Sequence, residues 1–472
     1  MTNAHYPDKS AVLLRPAYPY GKTQTWLPMD LYKVAAKLDA VGVQTDIVDL
    51  NFEKVPDDLA RYDFVGIGVI GPPYVPITID LANRVYKEFR RVPLIGGQGV
   101  EYLSPDQFEK LYPHACQIRN DVDLEAAIGR KVPSIYSTSI AQRIQNLDDI
   151  RAGRYLSSEF SFFVSQGCKH ACGFCQADRS RRGQKAVEKF NQVMEADLSS
   201  LMTRARKVGI GTLSMYLSSL DLFQNPSSIA ETLELFSYVS AQSGTKVNLR
   251  GLSRVDSFLD ALKSEEKLSK FFSTSLFAPS RLRTIGFGVD GTAENVWRSQ
   301  HKGKISLSEV DRAFSICWQY GITAEALLVM GFYDEKGKPV ETAENLQDNL
   351  SYAVHAAEEL AVVARPHVAK NFGPGNDGWN NPIWDTQRQH LLDNPQLFRN
   401  LDFVALASCL THPDADFRGA VNNTYLEIVK RLTPIRRCVT TPLLPLVESL
   451  DELMVDPRLL VDTFNLLVPF DR

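Results

Sequence analysis

The chain has 472 residues, 44% of them hydrophobic and 23% charged, with a formal net charge of −4. This is the composition of a globular protein long enough for two or three domains, each burying its own core. The charge balance gives no basic surface for nucleic acid and no acidic tail, no apolar run is long enough for a membrane helix, and the first residues lack the pattern of a signal peptide.

The first 130 residues alternate strand and helix patterns. AVLLR at 11–15 reads as a strand, and MDLYKVAAKLDAVG as a helix stopped by Gly42. TDIVDL and FVGIGVI are the next two strands, the second apolar on both faces as buried parallel strands are. A helix at ITIDLANRVYKEF leads to VPLIGG, then to a helix from PDQFEKLYP and a fifth strand at HACQIR. This rhythm predicts an α/β fold with an N-terminal doubly wound parallel sheet over residues 1–130. Residues 131–158 lack a strong pattern and read as a linker.

A second alternation fills residues 159–375. Its strand candidates lie at 160–166, 212–218, 245–250, 283–289, 322–330 and 363–369, with helical patterns such as LSEVDRAFSICWQYG between them. Such β/α units predict a partial (β/α)6 TIM-like barrel with its chemistry at the C-terminal strand ends. Residues 376–472 read as a mostly helical C-terminal segment.

Seven cysteines, an odd number without paired spacing, predict a reducing, cytoplasmic setting. Three of them, Cys168, Cys172 and Cys175, fall within SQGCKHACGFCQADRS, directly after the first strand candidate of the second alternation. Clustered thiols in such a compartment serve metal or catalysis. Three thiolates hold three irons of a cubane [4Fe–4S] cluster and leave one iron for a substrate or cofactor. Zinc is the alternative, but it wants a fourth ligand, and the nearest candidate, His170, lies inside the loop. Cys116, Cys317, Cys409 and Cys438 are dispersed and form no second motif.

The C-x3-C-x2-C spacing after a strand, with the aromatic Phe174 before the last cysteine, resembles the radical S-adenosylmethionine (SAM) superfamily over roughly residues 160–375. The resemblance implies a cluster on Cys168, Cys172 and Cys175 whose open iron takes the amino and carboxylate groups of SAM. It also implies reductive cleavage of SAM to a 5′-deoxyadenosyl radical. It carries Ser218, Ser219 and Asp221, in YLSSLDLF, to the methionine end of SAM. Arg250, read as ending the third strand, would pair with the SAM carboxylate. Asp290, in IGFGVDGTAENVWRSQHKG, would approach the ribose, and LLVMGF would lie near the adenine.

The preceding domain resembles the cobalamin-binding domain of radical enzymes that carry vitamin B12. Gly68, Gly71, Gly96, Gly97 and Gln98 are the positions carried over, where glycines let the backbone approach the cofactor. The histidine motif that ligates cobalt in many B12 proteins is absent, the first turn reading RPAYPYGKTQTW. Tyr74, in GPPYVP, is the candidate to face the lower side of the corrin.

Three further stretches stand out. RSRRGQK places Arg179, Arg181, Arg182 and Lys185 together, a solvated surface, a contact for an anionic substrate or cobalamin, or a dock for an acidic electron donor such as a flavodoxin. HVAKNFGPGNDGW, from His367 to Trp379, could close over substrate. CLTHPDADFR gathers Cys409, His412 and Arg418. The leading expectation is a cobalamin-dependent radical SAM enzyme that methylates, or otherwise transforms, a small-molecule substrate. The alternatives are a cobalamin-free radical SAM enzyme with a vestigial B12-type domain, open to transfer of another carbon fragment of SAM, and a non-catalytic iron–sulfur redox protein.

Overall fold

Strands β1 (Lys9–Arg15), β2 (Val43–Asp49), β3 (Phe64–Gly68), β4 (Leu94–Gly96) and β5 (Cys116–Ile118) form one parallel sheet in the order β2-β1-β3-β4-β5. This is the doubly wound order whose ligand crevice lies at the C-terminal edge, between β1 and β3. The structure, a computed structural model, describes residues 9–18, 26–165, 167–175, 188–274, 280–303, 305–369, 373–375, 378–399 and 412–439. It divides into two compact units. The first holds the described residues up to 158 together with 188–204 and 388–399, and the second holds the rest.

Local chemistry explains the first unit's elements. Val12, Leu14, Val65 and Ile67 are buried, as central strands require. The helix Val75–Phe89 begins with a proline in its first turn, and the helix Pro105–Leu111 has a capping box between Ser104 and Gln107. Ala35, Leu38 and Val43 pack with Ala11, Leu13, Leu124 and Ile128 on one side of the sheet. Between residues 131 and 158 the structure has a short turn of helix at Ile135–Ser137 and the helices Ala141–Gln145 and Asp149–Leu156. Buried charge ties this stretch into the first unit. Lys33 donates to the Thr138 carbonyl (2.9 Å) and to Asp197 (2.7 Å), which also accepts from the Ser139 hydroxyl and the Ile140 N–H. The buried pair Arg15–Asp49 (2.8 Å) is completed by the Tyr155 hydroxyl, 2.8 Å from Asp49.

The second sheet is also parallel throughout. Strands β6 (Phe160–Phe163), β7 (Thr212–Ser218), β8 (Lys246–Ser253), β9 (Ser280–Gly288), β10 (Thr323–Met330) and β11 (Val363–Val368) lie in sequence order, with β6 and β11 at the edges. This is the wiring of a β/α barrel that has not closed. Residues 437–439 pair with Ala364 and cover backbone groups of the β11 edge. The strands alternate. On β8, Val247 and Leu249 are fully buried while Asn248 and Arg250 lie on the other face. An aromatic chain fills the core, with Phe223, Phe258, Phe287 and Phe314 in successive ring contacts at 5.2, 5.2 and 5.8 Å. Helices Pro382–Asp393 and Ala415–Leu432 account for the described part of the predicted helical C-terminal segment.

Candidate functional site

The loop after β6 carries the three cysteines, and side chains from neighbouring strand ends hold it. Gln224, buried after β7, receives the Lys169 N–H (2.9 Å) and donates to the Gly167 carbonyl (3.1 Å). His170 is hydrogen-bonded through Nε2 to Asp221 (3.1 Å) and lies equally close to the Ser257 hydroxyl. Asp221 is fully buried and also accepts from Ser253 (2.9 Å), Ser257 (2.6 Å) and the Arg254 N–H (3.2 Å). Burial alone would raise the Asp221 carboxyl. The hydrogen bonds from His170, Ser257, Arg254 and Ser253 outweigh it and hold the group below the usual carboxylate range.

All three cysteines lie on this loop, Cys168 buried and Cys172 and Cys175 half-buried. The Cys175 N–H closes a turn on the Cys172 carbonyl (3.1 Å), and the Gly173 N–H donates to the Gln300 carbonyl (3.0 Å). Burial pushes the Cys168 thiol up to about 11, and Asp221 and the other two thiols add to the effect against a backbone hydrogen bond from His170. Among the described residues, no group of three His, Cys, Asp or Glu side chains is arranged to hold a metal ion. A single zinc demands such a closed set, whereas a cubane takes its thiolates on separate iron corners. The donor set fits the cluster: three neighbouring thiols on one anchored loop, with no fourth cysteine in it.

Phe174 points into an apolar group of Val296, Phe332, Tyr333, Ala369 and Ile383, its ring 5.3 Å from that of Phe332. Trp379, from beyond β11, lies directly over Gly173. A Cβ at that glycine would fall within about 2 Å of the indole. Trp379 is one of the described residues of the segment from His367 to Trp379.

The remaining predicted residues fall as follows. Ser218 ends β7, and its carbonyl accepts the Val164 N–H. Ser219 accepts from the Ser165 hydroxyl (2.8 Å). Arg250 does not end its strand, because β8 continues to Ser253. Its guanidinium is bound to Glu325 (2.9 Å) and Glu159 (3.3 Å), and Arg365 grips the same Glu325. The arginine at the strand end is Arg254, whose Nη1 lies 3.3 Å from the Cys172 sulfur. Asp290 follows β9 with φ 49°, in the left-handed region, and is paired with buried Lys302, which also donates to the Gly288 carbonyl (2.6 Å). His367 lies on β11 in register with Val329. His412 is buried, accepts no proton until well below its usual range (about 4) because burial disfavours its charge, and faces the Ala369 carbonyl (3.2 Å). Arg179, Arg181, Arg182, Lys185 and Cys409 lie outside the described residues.

Sequence reasoning missed Arg254, Gln224, Lys302 and Glu341. Glu341 is buried and accepts the N–H groups of Gly331 (2.5 Å) and Phe332 (3.0 Å) just beyond β10. Gln224 and Arg254 act on groups more than fifty residues away, and Lys302 and Glu341 pair across turns of eight to fourteen residues that no helix or strand period marks.

The C-terminal edge of the first sheet is the other candidate site. Gly68 and Gly96 end β3 and β4, and Gly97 follows with φ 115°. A Cβ at Gly97 would stand 2.5 Å from the Val69 carbonyl oxygen. Gly99 is as tightly placed, since its Cβ would meet Val69 and Gly71. Gly71 is buried, and Gln98 is exposed. Tyr74 is buried in the short helix Pro72–Tyr74, its ring 6.3 Å from that of Tyr18. Two large apolar residues at this edge stay open, Ile70 at 44% and Trp26 at 40% exposure. Exposed apolar side chains beside glycine turns are the chemistry that a flat apolar ligand such as a corrin would need.

No protein-family model matches the chain, and no curated protein matches it in sequence. In fold it is similar to the radical S-adenosylmethionine methyltransferase TsrM from Kitasatospora setae, solved with cobalamin and a [4Fe–4S] cluster bound. That match has a TM-score of 0.54 and 12% identity over 77% of this chain and 75% of that one. It is also similar to the cobalamin-dependent S-adenosylmethionine radical enzyme OxsB, solved with aqua-cobalamin and S-adenosylmethionine (TM-score 0.59, 13% identity, 83% of this chain and 56% of that one). The chain thus has the fold of the cobalamin-dependent radical SAM enzymes, a Rossmann-like parallel sheet followed by a second parallel sheet of β/α units. None of its helices is long and apolar enough to cross a membrane, among the described residues.

Proposed function

We propose that this protein is a radical SAM enzyme that uses cobalamin to methylate, or otherwise transform through a radical, a small-molecule substrate. The observation that carries the reading is the anchored loop with its three cysteines, placed at the C-terminal end of β6 in a chain of this fold. Cys168, Cys172 and Cys175 would hold the cluster. When bound, the cluster supplies a low-potential electron and an open iron for SAM, and cobalamin supplies a methyl carrier. The chain's own part is positioning. Gln224 and the Asp221–His170 pair fix the loop, Phe174 presents an apolar face beside it, and Ser218 and Ser219 line the neighbouring strand end. The edge of the first sheet would take the corrin against Ile70 and Trp26, with no histidine from the turn after β1. The electron would come from a flavodoxin-type donor drawn to Arg179, Arg181, Arg182 and Lys185.

A second reading keeps the radical chemistry without cobalamin. It is favoured by Gly97 and Gly99, whose lack of side chains is already required by packing against Val69 and Gly71. One experiment addresses both. Protein reconstituted anaerobically with iron and sulfide should hold about four irons per chain and release 5′-deoxyadenosine from SAM on reduction. Hydroxocobalamin bands that survive gel filtration support the first reading, and their loss supports the second. Fewer than about three irons per chain would remove both.

A further inference from the structure

Beyond β8 the chain brings a guanidinium to the cysteine loop. Arg254 is buried, at 8% exposure. Its Nε and Nη2 grip both carboxylate oxygens of Asp256 (2.9 and 2.7 Å), and Nη2 also donates to the Lys302 carbonyl. Nη1 is left facing Cys172, at 3.3 Å from the sulfur. The aim is enforced from both sides. The Arg254 N–H is held by Asp221, the same carboxylate that anchors His170 in the loop. Lys302 is itself fixed by Asp290. Asp256 is one-third exposed (34%) and partly screened by water, whereas the guanidinium is buried beside the sulfur.

We infer that Arg254 is a positioning residue that sets the reduction potential of the cluster held by Cys168, Cys172 and Cys175. The inference rests on the cluster reading above. An N–H···S bond from a cation stabilises charge on a ligating thiolate, and such bonds are among the determinants of cluster potential. In the step concerned, one electron passes from the reduced low-potential donor to the [4Fe–4S]2+ state, giving [4Fe–4S]+ and an oxidised donor, with no proton moved. The product carries one more negative charge, and Arg254 therefore favours it.

The test is an EPR-monitored redox titration of the full chain, reconstituted anaerobically, with iron and sulfide counted on each sample. Arg254→Gln should keep its iron and shift the reduction equilibrium at least tenfold toward the oxidised state, which is about 59 mV for one electron. Arg254→Lys should recover part of that shift. Asp256→Asn removes the counter-charge and leaves Nη1 on Cys172, so it should move the potential the opposite way. A merely structural role predicts no such opposed signs. Unchanged potentials at full iron content, or shifts of the same sign in Arg254→Gln and Asp256→Asn, would overturn the assignment. If Arg254→Gln does not load iron, the direction of the Asp256→Asn shift decides. A wild-type chain that holds no cluster refutes the cluster reading instead.

Discussion

The glycine turns of the first unit and the cysteine loop of the second both lie at the C-terminal ends of parallel strands, yet they are held in opposite ways. At Gly97 and Gly99 the side chain is absent so that backbone can meet backbone. In the loop from Gly167 to Cys175 the backbone is suspended from distant side chains: Gln224, Asp221 through His170, and Arg254 on the sulfur itself. The first device is general to tightly turned sheets and is ambiguous about a ligand. The second commits several buried polar groups to one short loop and so fixes its conformation.

The largest effect that separates the two regions is removal of a thiol. Alanine at Cys168, Cys172 or Cys175 should abolish 5′-deoxyadenosine formation and lower iron content, while corrin retention by the first unit stays at the wild-type level. Turnover surviving in any of the three variants would refute the reading of the loop. Next in size is Asp221→Ala, which leaves His170, Ser253 and Ser257 without their shared acceptor. We expect a loss of about 3 kcal/mol or more of stability and weaker iron retention, measured together by urea unfolding and iron analysis.

The comparison sharpens with a pair of glycines. Gly97→Ala meets a carbonyl oxygen at an unfavourable φ and should cost about 2–4 kcal/mol. No single neighbour can relieve it, because the obstacle is backbone. Gly173→Ala meets the Trp379 ring first and should cost about 1–3 kcal/mol. Trp379→Leu should recover much of that loss. A double-mutant cycle that shows no coupling between positions 173 and 379 would disprove the contact.

Legibility in the sequence follows the same division. The two parallel sheets were readable because buried strands such as FVGIGVI and the helices between them carry periodic signals a few residues long. The triad was readable because its spacing is local. Arg250 illustrates the limit: the run TKVNLR reads as a strand ending at Arg250, but GLS continues it to Ser253, and the arginine beyond its end is Arg254, beside Cys172. No periodicity distinguishes an arginine spent on Glu325 from one aimed at a sulfur; only the tertiary pairing does. The stretch at 131–158 was opaque for a related reason. Its helices are short, and its anchors, Lys33 and Asp197, lie 105 and 57 or more residues from the groups they hold.

The last expected effect is seen only as a dependence on pH and concerns a carboxyl outside both devices. Glu341 is buried beyond β10, and burial raises its pKa from 4.5 to about 7 against hydrogen bonds from Phe332, Gly331 and Asn349. The folded chain therefore keeps this proton at pH values where the unfolded chain has lost it. The linked stabilisation is complete below pH 4.5 and disappears as the pH rises through about 7. Its full size is on the order of 3 kcal/mol. Glu341→Gln carries no titrating proton, so the stability of the variant relative to wild type should climb between pH 4.5 and 7 and level off above. His412 titrates in the opposite sense, stabilising above its ordinary 6.5 and losing that contribution as the pH falls toward about 4. It is common to both proteins and cancels in the difference. Urea unfolding of the two proteins across this range gives the difference directly, and parallel curves would show that Glu341 is ionised in the fold at neutral pH.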